Sequence, residues 1–330
     1  MKRIRYGIAG ALMGACVAIA GTVAAETFRF GAMPVGSGWY VAAAAIEKVI
    51  TPALEGQTVE IIPRGGGVAN PMVVENGGAD IAFANVQTAV LAMNGDPELY
   101  EGQKAENIRA LVGGLNPVYI GAMVRRDFIE RTGLDTLEKI LESDEAVRIL
   151  MKPPGSNIPP AVDVILAAHG TDRDEIRANG GDIIQVDTAQ IPAVLRDARA
   201  DVLFDTILRG HPMITEVALT GDVEFLDLSD KAQAALAQVG VRPASFPAWF
   251  EGQTGETKSG DFGTVLIGHA DVPDDVAYAV TKAVIENMDE ISAEYPAYSN
   301  FKAEDAWKPE NTGIPLHPGA ERYYKERGWM

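Results

Sequence analysis

The chain has a single cysteine and only four histidines in 330 residues. The cysteine, Cys16, sits in the apolar amino-terminal stretch. Beyond it there is no thiol for a disulfide, a thiolate metal site or a nucleophile. His169, His211, His269 and His317 lack zinc-ligand spacing, so they read as capping or surface residues. Basic residues are also scarce. Twenty-eight Lys and Arg stand against 46 Asp and Glu, for a net charge of −18. Such an acidic surface argues against nucleic acid or anionic lipid as a partner. No G-x-S-x-G and no Walker loop occurs, and Gly36-Ser37-Gly38 is not a dinucleotide fingerprint, because Val41 stands at the third glycine. No catalytic residue, metal or cofactor is assigned. Repeats and low-complexity tracts are not apparent, and after the amino terminus no apolar run reaches membrane-spanning length.

What is there begins with Lys2, Arg3 and Arg5, an apolar stretch from Tyr6 to about Ala20, and Val23-Ala24-Ala25 before Glu26. This is the pattern of a secretory signal cleaved after Ala25. A retained anchor is the alternative, and Met13-Gly14-Ala15-Cys16 is a weak lipoprotein-like box. Cleavage would remove three cations and take the net charge from −18 to −21. An exported chain without disulfides must rest on its core, and this length favours two lobes.

Strand and helix patterns alternate throughout, which reads as an α/β fold. Two Gly-rich turns each follow a short strand and enter a helix. They are Gly36-Ser37-Gly38-Trp39-Tyr40 and Arg64-Gly65-Gly66-Gly67, the latter running to Asn70-Pro71. A helix start exposes unpaired N–H groups and a positive dipole end, and glycine admits a close ligand, so both turns are candidate anion sites. Ser37 offers a hydroxyl, and Trp39 and Tyr40 suit a pocket wall or a core. Arg64 suits a bidentate bond to a carboxylate or a solvated surface position. Asn70 reads as an N-cap with Pro71 at the first helical position. Asn85 and Gln87 follow the strand Ile81–Ala84, where ligands of α/β sheets usually lie. Ser156 and Asn157, after Pro153-Pro154-Gly155, form a third helix entrance facing the first two. Asp205 and Thr206 end another strand, where Asp205 suits an ammonium or hydroxyl partner or a structural cap. Val223–Leu226 reads as the segment that returns the chain to the first lobe.

Read in order, these landmarks resemble the TAXI-type solute receptors of TRAP (tripartite ATP-independent periplasmic) transporters. The resemblance rests on Gly36-Ser37-Gly38-Trp39-Tyr40, the turn from Arg64 to Asn70, and Ala79-Asp80-Ile81-Ala82 with Asn85 and Gln87. It continues through Pro153-Pro154-Gly155-Ser156-Asn157, Ala200 to Phe204, and Gly210-His211-Pro212. The tail Pro315-Leu316-His317-Pro318-Gly319-Ala320-Glu321-Arg322-Tyr323-Tyr324 is its most distinctive part. It implies a two-lobed type II periplasmic binding fold, with lobes of 27–117 plus 224–330, and 118–223. It implies a periplasmic, monomeric receptor, not an enzyme, that delivers an organic acid or amino acid to a membrane permease with fused subunits, driven by an ion gradient. The implied ligand residues are Ser37, Trp39, Tyr40, Arg64, Gly67, Asn70, Asn85, Gln87, Ser156, Asn157, Asp205 and Thr206. Arg64, Gly67 and Asn85 depart from the commoner Thr, Ser and Gln of that pattern. A sensory accessory of a membrane kinase and a periplasmic enzyme acting on a small acid are the alternatives.

Overall fold

A computed structural model describes residues 26–54 and 56–330; the expected signal and its cleavage site up to Ala25 lie outside them. Twelve strands form two sheets. The first holds β1 (Glu26–Gly31), β2 (Gln57–Ile62), β3 (Ile81–Ala84), β4 (Ile108–Val112) and β12 (Val265–His269). Their order is β2-β1-β3-β12-β4, parallel except for β12, which runs against both β3 and β4. The alternation at Phe28 and Phe30 buries both rings. Helix α1 (Gly38–Ile50) packs its Ala42, Ala43, Ile46 and Ile50 stripe into the same core. Helices α2 (Ala69–Glu75) and α3 (Val86–Asn94) complete this unit's first stretch.

The second sheet holds β5 (Tyr119–Arg125), β6 (Arg148–Met151), β7 (Asp182–Gln185), β8 (Val202–Ile207), β9 (Val223–Leu226), β10 (Arg242–Phe246) and β11 (Thr257–Asp261). It runs β10-β11-β5-β8-β6-β7, and β9 also pairs with β5. Short helices α4 (Arg126–Thr132) and α5 (Leu137–Leu141) follow β5, and α6 (Ile158–Ala168) follows β6. This membership differs from the expected return at residue 224. Leu226 pairs with Ala122, and β11 pairs with both β10 and β5, so the chain stays in the second sheet until Asp261. It goes back to the first sheet only at β12.

Two chain segments therefore pass side by side between the sheets. Leu115 N–H donates to the Thr264 carbonyl (3.2 Å) and Phe262 N–H to that of Val118 (2.9 Å). The Asp261 carboxylate accepts from the N–H of Val118 and of Gly263, each at 2.8 Å. The segment after Pro273 forms two helices, Asp274–Glu286 and Met288–Glu294, rather than one. Asn287 breaks it, turning its amide back onto the Ala283 carbonyl at 2.8 Å.

The two units share a local plan, although no repeat was apparent in the sequence. In the first, the Arg29 N–H, Nε and a terminal guanidinium nitrogen all meet Asp80, and the other terminal nitrogen meets the Gly77 carbonyl. In the second, Arg148 makes the same set of bonds to Asp201 and to the Ala198 carbonyl. Each Arg lies in its unit's central parallel strand, and each Asp precedes the next strand of the sheet. After each Arg strand comes the same turn, Pro34 to Ser37 or Pro153 to Ser156. Ser37 N–H donates to the Pro34 carbonyl (3.1 Å) and Ser156 N–H to that of Pro153 (3.4 Å). The glycine within each turn, Gly36 or Gly155, takes φ near +90°, a conformation L residues rarely adopt.

Candidate functional site

The matched turns place Ser37 and Ser156 in the wall of one small cavity between the units, with a volume of about 20 Å³. Ser37, Gly38, Trp39, Gly67, Asn85, Ser156, Asn157 and Thr206 line it. So do Met33, Val118, Lys152, Leu208 and His211, which the sequence reading did not select. The first unit contributes mostly apolar wall, with the Trp39 ring tilted against Phe83 at 5.6 Å between centroids. The cation comes from the second. Lys152 is 2% exposed, pairs with the fully buried Asp205 and donates to Thr206 Oγ1 at 3.0 Å.

A buried ion pair costs desolvation, so its remaining bonding capacity must be used. Asp205 Oδ1 accepts from the N–H and hydroxyl of Thr206, while Oδ2 has no partner. Asn85 Oδ1 and Asn157 Nδ2 are likewise buried and unpartnered. Asn85 is fixed through its amide, which donates to the Gly263 carbonyl at 2.8 Å. Unpartnered buried groups are rare in proteins. Here two of them line one cavity, and the third lies behind Lys152 and Thr206.

His211 caps the helix Pro212–Thr220 by accepting the Ile214 N–H at Nδ1 (3.4 Å). Full burial first, then the Lys152 charge, push its pKa down to about 3. The ring is neutral at physiological pH, and with Nδ1 accepting, the proton resides on Nε2. Of the other histidines, His317 caps the helix Pro318–Glu326 and His269 accepts the Asp271 N–H. His169 bridges Glu142 and Ser229, and burial lowers its pKa.

The three helix entrances differ as anion sites. Ser37 caps α1 through the Tyr40 N–H (3.2 Å). Among the described residues the Gly38 and Trp39 N–H groups have no partner. The α2 entrance is already used, since the Val68 and Ala69 N–H groups both donate to the Gly155 carbonyl of the other unit at 3.3 Å. At α6, Pro159 and Pro160 carry no N–H. Of the three expected helix entrances, α1 is the one with donors to spare.

Five of the expected residues lie away from the cavity wall, Asp205 behind Lys152 and Thr206 among them. Arg64 is exposed, so Lys152 is the cation of the cavity instead. Tyr40 is half-buried and does not line the cavity. Asn70 lies inside α2 and not at its cap: its Oδ1 accepts from Gly66, and its amide holds the Ala32 and Phe83 carbonyls (3.1 and 2.7 Å). Gln87 bonds the Val239 carbonyl and borders a separate groove. Lys152 had a signal in the sequence, a lone cation at the carboxyl end of a strand, four residues before Ser156.

The NMT1-like family is matched over residues 30–328. The chain belongs to that family. Among solved structures, the NMT1-like chain is similar to MatC from Rhodopseudomonas palustris with bound malate (14% identity, 92% of this chain and 97% of that one, TM-score 0.56). It is also similar to the periplasmic binding protein BugD (12% identity, 92% and 95% covered, TM-score 0.56). A protein from Bordetella bronchiseptica RB50 matches at 16% identity, 89% and 83% covered, TM-score 0.51. These likenesses show the two-lobed α/β fold of periplasmic binding proteins. No helix of the described residues is long and apolar enough to cross a membrane.

Proposed function

We propose that the chain is a periplasmic solute receptor that binds a small carboxylate between its units and hands it to an ion-gradient-driven TRAP permease of the TAXI type. It performs no chemistry of its own. The observation that carries this reading is the convergence on one cavity of a buried ammonium, Lys152, and donors to spare from both units, Asn157 Nδ2 and the α1 amides of Gly38 and Trp39. The carboxylate meets Lys152, Asn157 Nδ2 and the free α1 amides. A group bridging both units favours the closed form, because it binds that form better than an open one. The bound malate of MatC is consistent with this class of guest. The TRAP partnership rests on the motif resemblance.

The test is calorimetric titration of the purified protein with a panel of mono- and dicarboxylates and amino acids. A charge-assisted bond contributes about 1.5–3 kcal/mol, so Lys152→Met should weaken the best ligand by about one to two orders of magnitude. Binding that is indifferent to Lys152, or no carboxylate binding at all, rejects the reading.

A further inference from the structure

A second space adjoins the cavity. It is a groove of about 680 Å³ between the flanks of α3 and α6, walled by Val86, Val90, Leu91, Val164, Val241 and Phe262. Only a thin partition separates the two. Gly67 and Asn85 line the cavity, their successors Val68 and Val86 line the groove, and Asn157 lines both. A Cβ on Gly67 would collide with Asn85 Oδ1 and lie 3.2 Å from Asn157 Cβ, so these three residues touch, with no other layer between. The partition therefore consists of a bare backbone and two amide side chains, each with one unpartnered buried atom.

Charge sorts what fits beyond it. Asp96, Glu98 and Glu310 border the groove. Among the described residues the one cation there, Arg242, is bonded to Asp261 at 2.7 Å. Such a border disfavours a second carboxylate on the guest, while the apolar walls favour hydrocarbon.

Building on the carboxylate reading of the cavity, we infer that the guest is an amphipathic monocarboxylate. Its head meets Lys152 and the free α1 amides, and its apolar tail passes Asn157 into the groove. Compact dicarboxylates are the poorer ligands.

The test is calorimetric titration with butyrate, hexanoate, octanoate, succinate and 1-octanol. Affinity should rise about fourfold for each added methylene, from the transfer free energy of a buried CH₂. 1-Octanol, with the tail but no charge, should bind at least about tenfold more weakly than octanoate. Val164→Trp, filling the groove, should erase the gain of octanoate over butyrate and leave butyrate within about twofold; Val90→Trp on the facing wall repeats the test. Retained butyrate binding certifies each variant as folded. A flat chain-length series, succinate tighter than octanoate, or groove variants that leave the octanoate gain intact overturns this inference and spares the carboxylate reading. If no acid of any length binds, both fall.

Discussion

The two units solve one local problem in the same way and then part company at the cavity. Both clamp their central strands with an Arg–Asp fork, and both turn through Pro-x-Gly-Ser into a helix. Position for position after the fork, Met33 of the first unit stands where the second has Lys152, and Ala84 stands where it has Asp205. The frame is shared, while the ion pair exists on one side only. The frame is thus a matter of folding, and the asymmetry is a matter of ligand. A polar head is directed toward the second unit and apolar matter toward the first.

The sharpest way to break this contrast is to remove the pair by halves. Lys152→Met leaves Asp205 buried and unpaired and should cost about 3–5 kcal/mol in urea unfolding. The double change Lys152→Met with Asp205→Leu, which makes the second unit resemble the first, should recover most of that loss while still failing to bind carboxylate. A double variant no more stable than the single one would show that the pair does not act as a unit.

The forks come next. The Asp201 side chain is 4% exposed and the Asp80 side chain 26%, so water replaces less of the lost bonding in the second unit. Arg148→Ala should cost about 2–3 kcal/mol and Arg29→Ala about 1–2 kcal/mol, read from denaturant midpoints at constant slope. Equal losses would mean that burial does not set the difference.

His211 sharpens the comparison through pH. Its folded pKa lies below the unfolded value, so its neutral form contributes stability that is intact above about pH 6.5 and lost as pH falls toward about 3. The steepest part of the loss approaches one proton, about 1.4 kcal/mol per pH unit. His211→Asn should flatten the pH profile of the melting temperature in that window by this amount; an unchanged slope would assign the acid sensitivity to other groups. The smallest effect is expected at Arg64, which the structure leaves exposed. Arg64→Ala should keep the ligand Kd within about twofold.

How the sequence foretold this is uneven for physical reasons. Turns built from Gly, Pro, Ser and Asn announce themselves, so Ser37, Gly67, Asn85, Ser156 and Asn157 were legible. Lys152 was not, because a lone lysine after a strand is usually solvated, and only the tertiary approach of Asp205 makes it a buried one. Arg64 and Gln87 misled because a turn's composition does not reveal which way its side chains face. Strands β10 and β11 carry Pro, Gly, Ser and charge, a poor strand signature. Tertiary pairing creates them, and missing them placed the return crossing too early. The internal likeness escaped notice because it survives in few residues, chiefly Arg, Asp, Pro, Gly and Ser at matched offsets.

The place of β12 has a consequence for how the molecule comes into being. Every strand of the second sheet lies within residues 119–261, whereas the first sheet keeps a slot between β3 and β4 that only residues 265–269 fill. A polypeptide emerging amino end first can finish the second sheet while the first is still split, with the edges of β3 and β4 bare. The half that begins synthesis is the half that matures last, and truncation anywhere before Val265 would strand it unfinished.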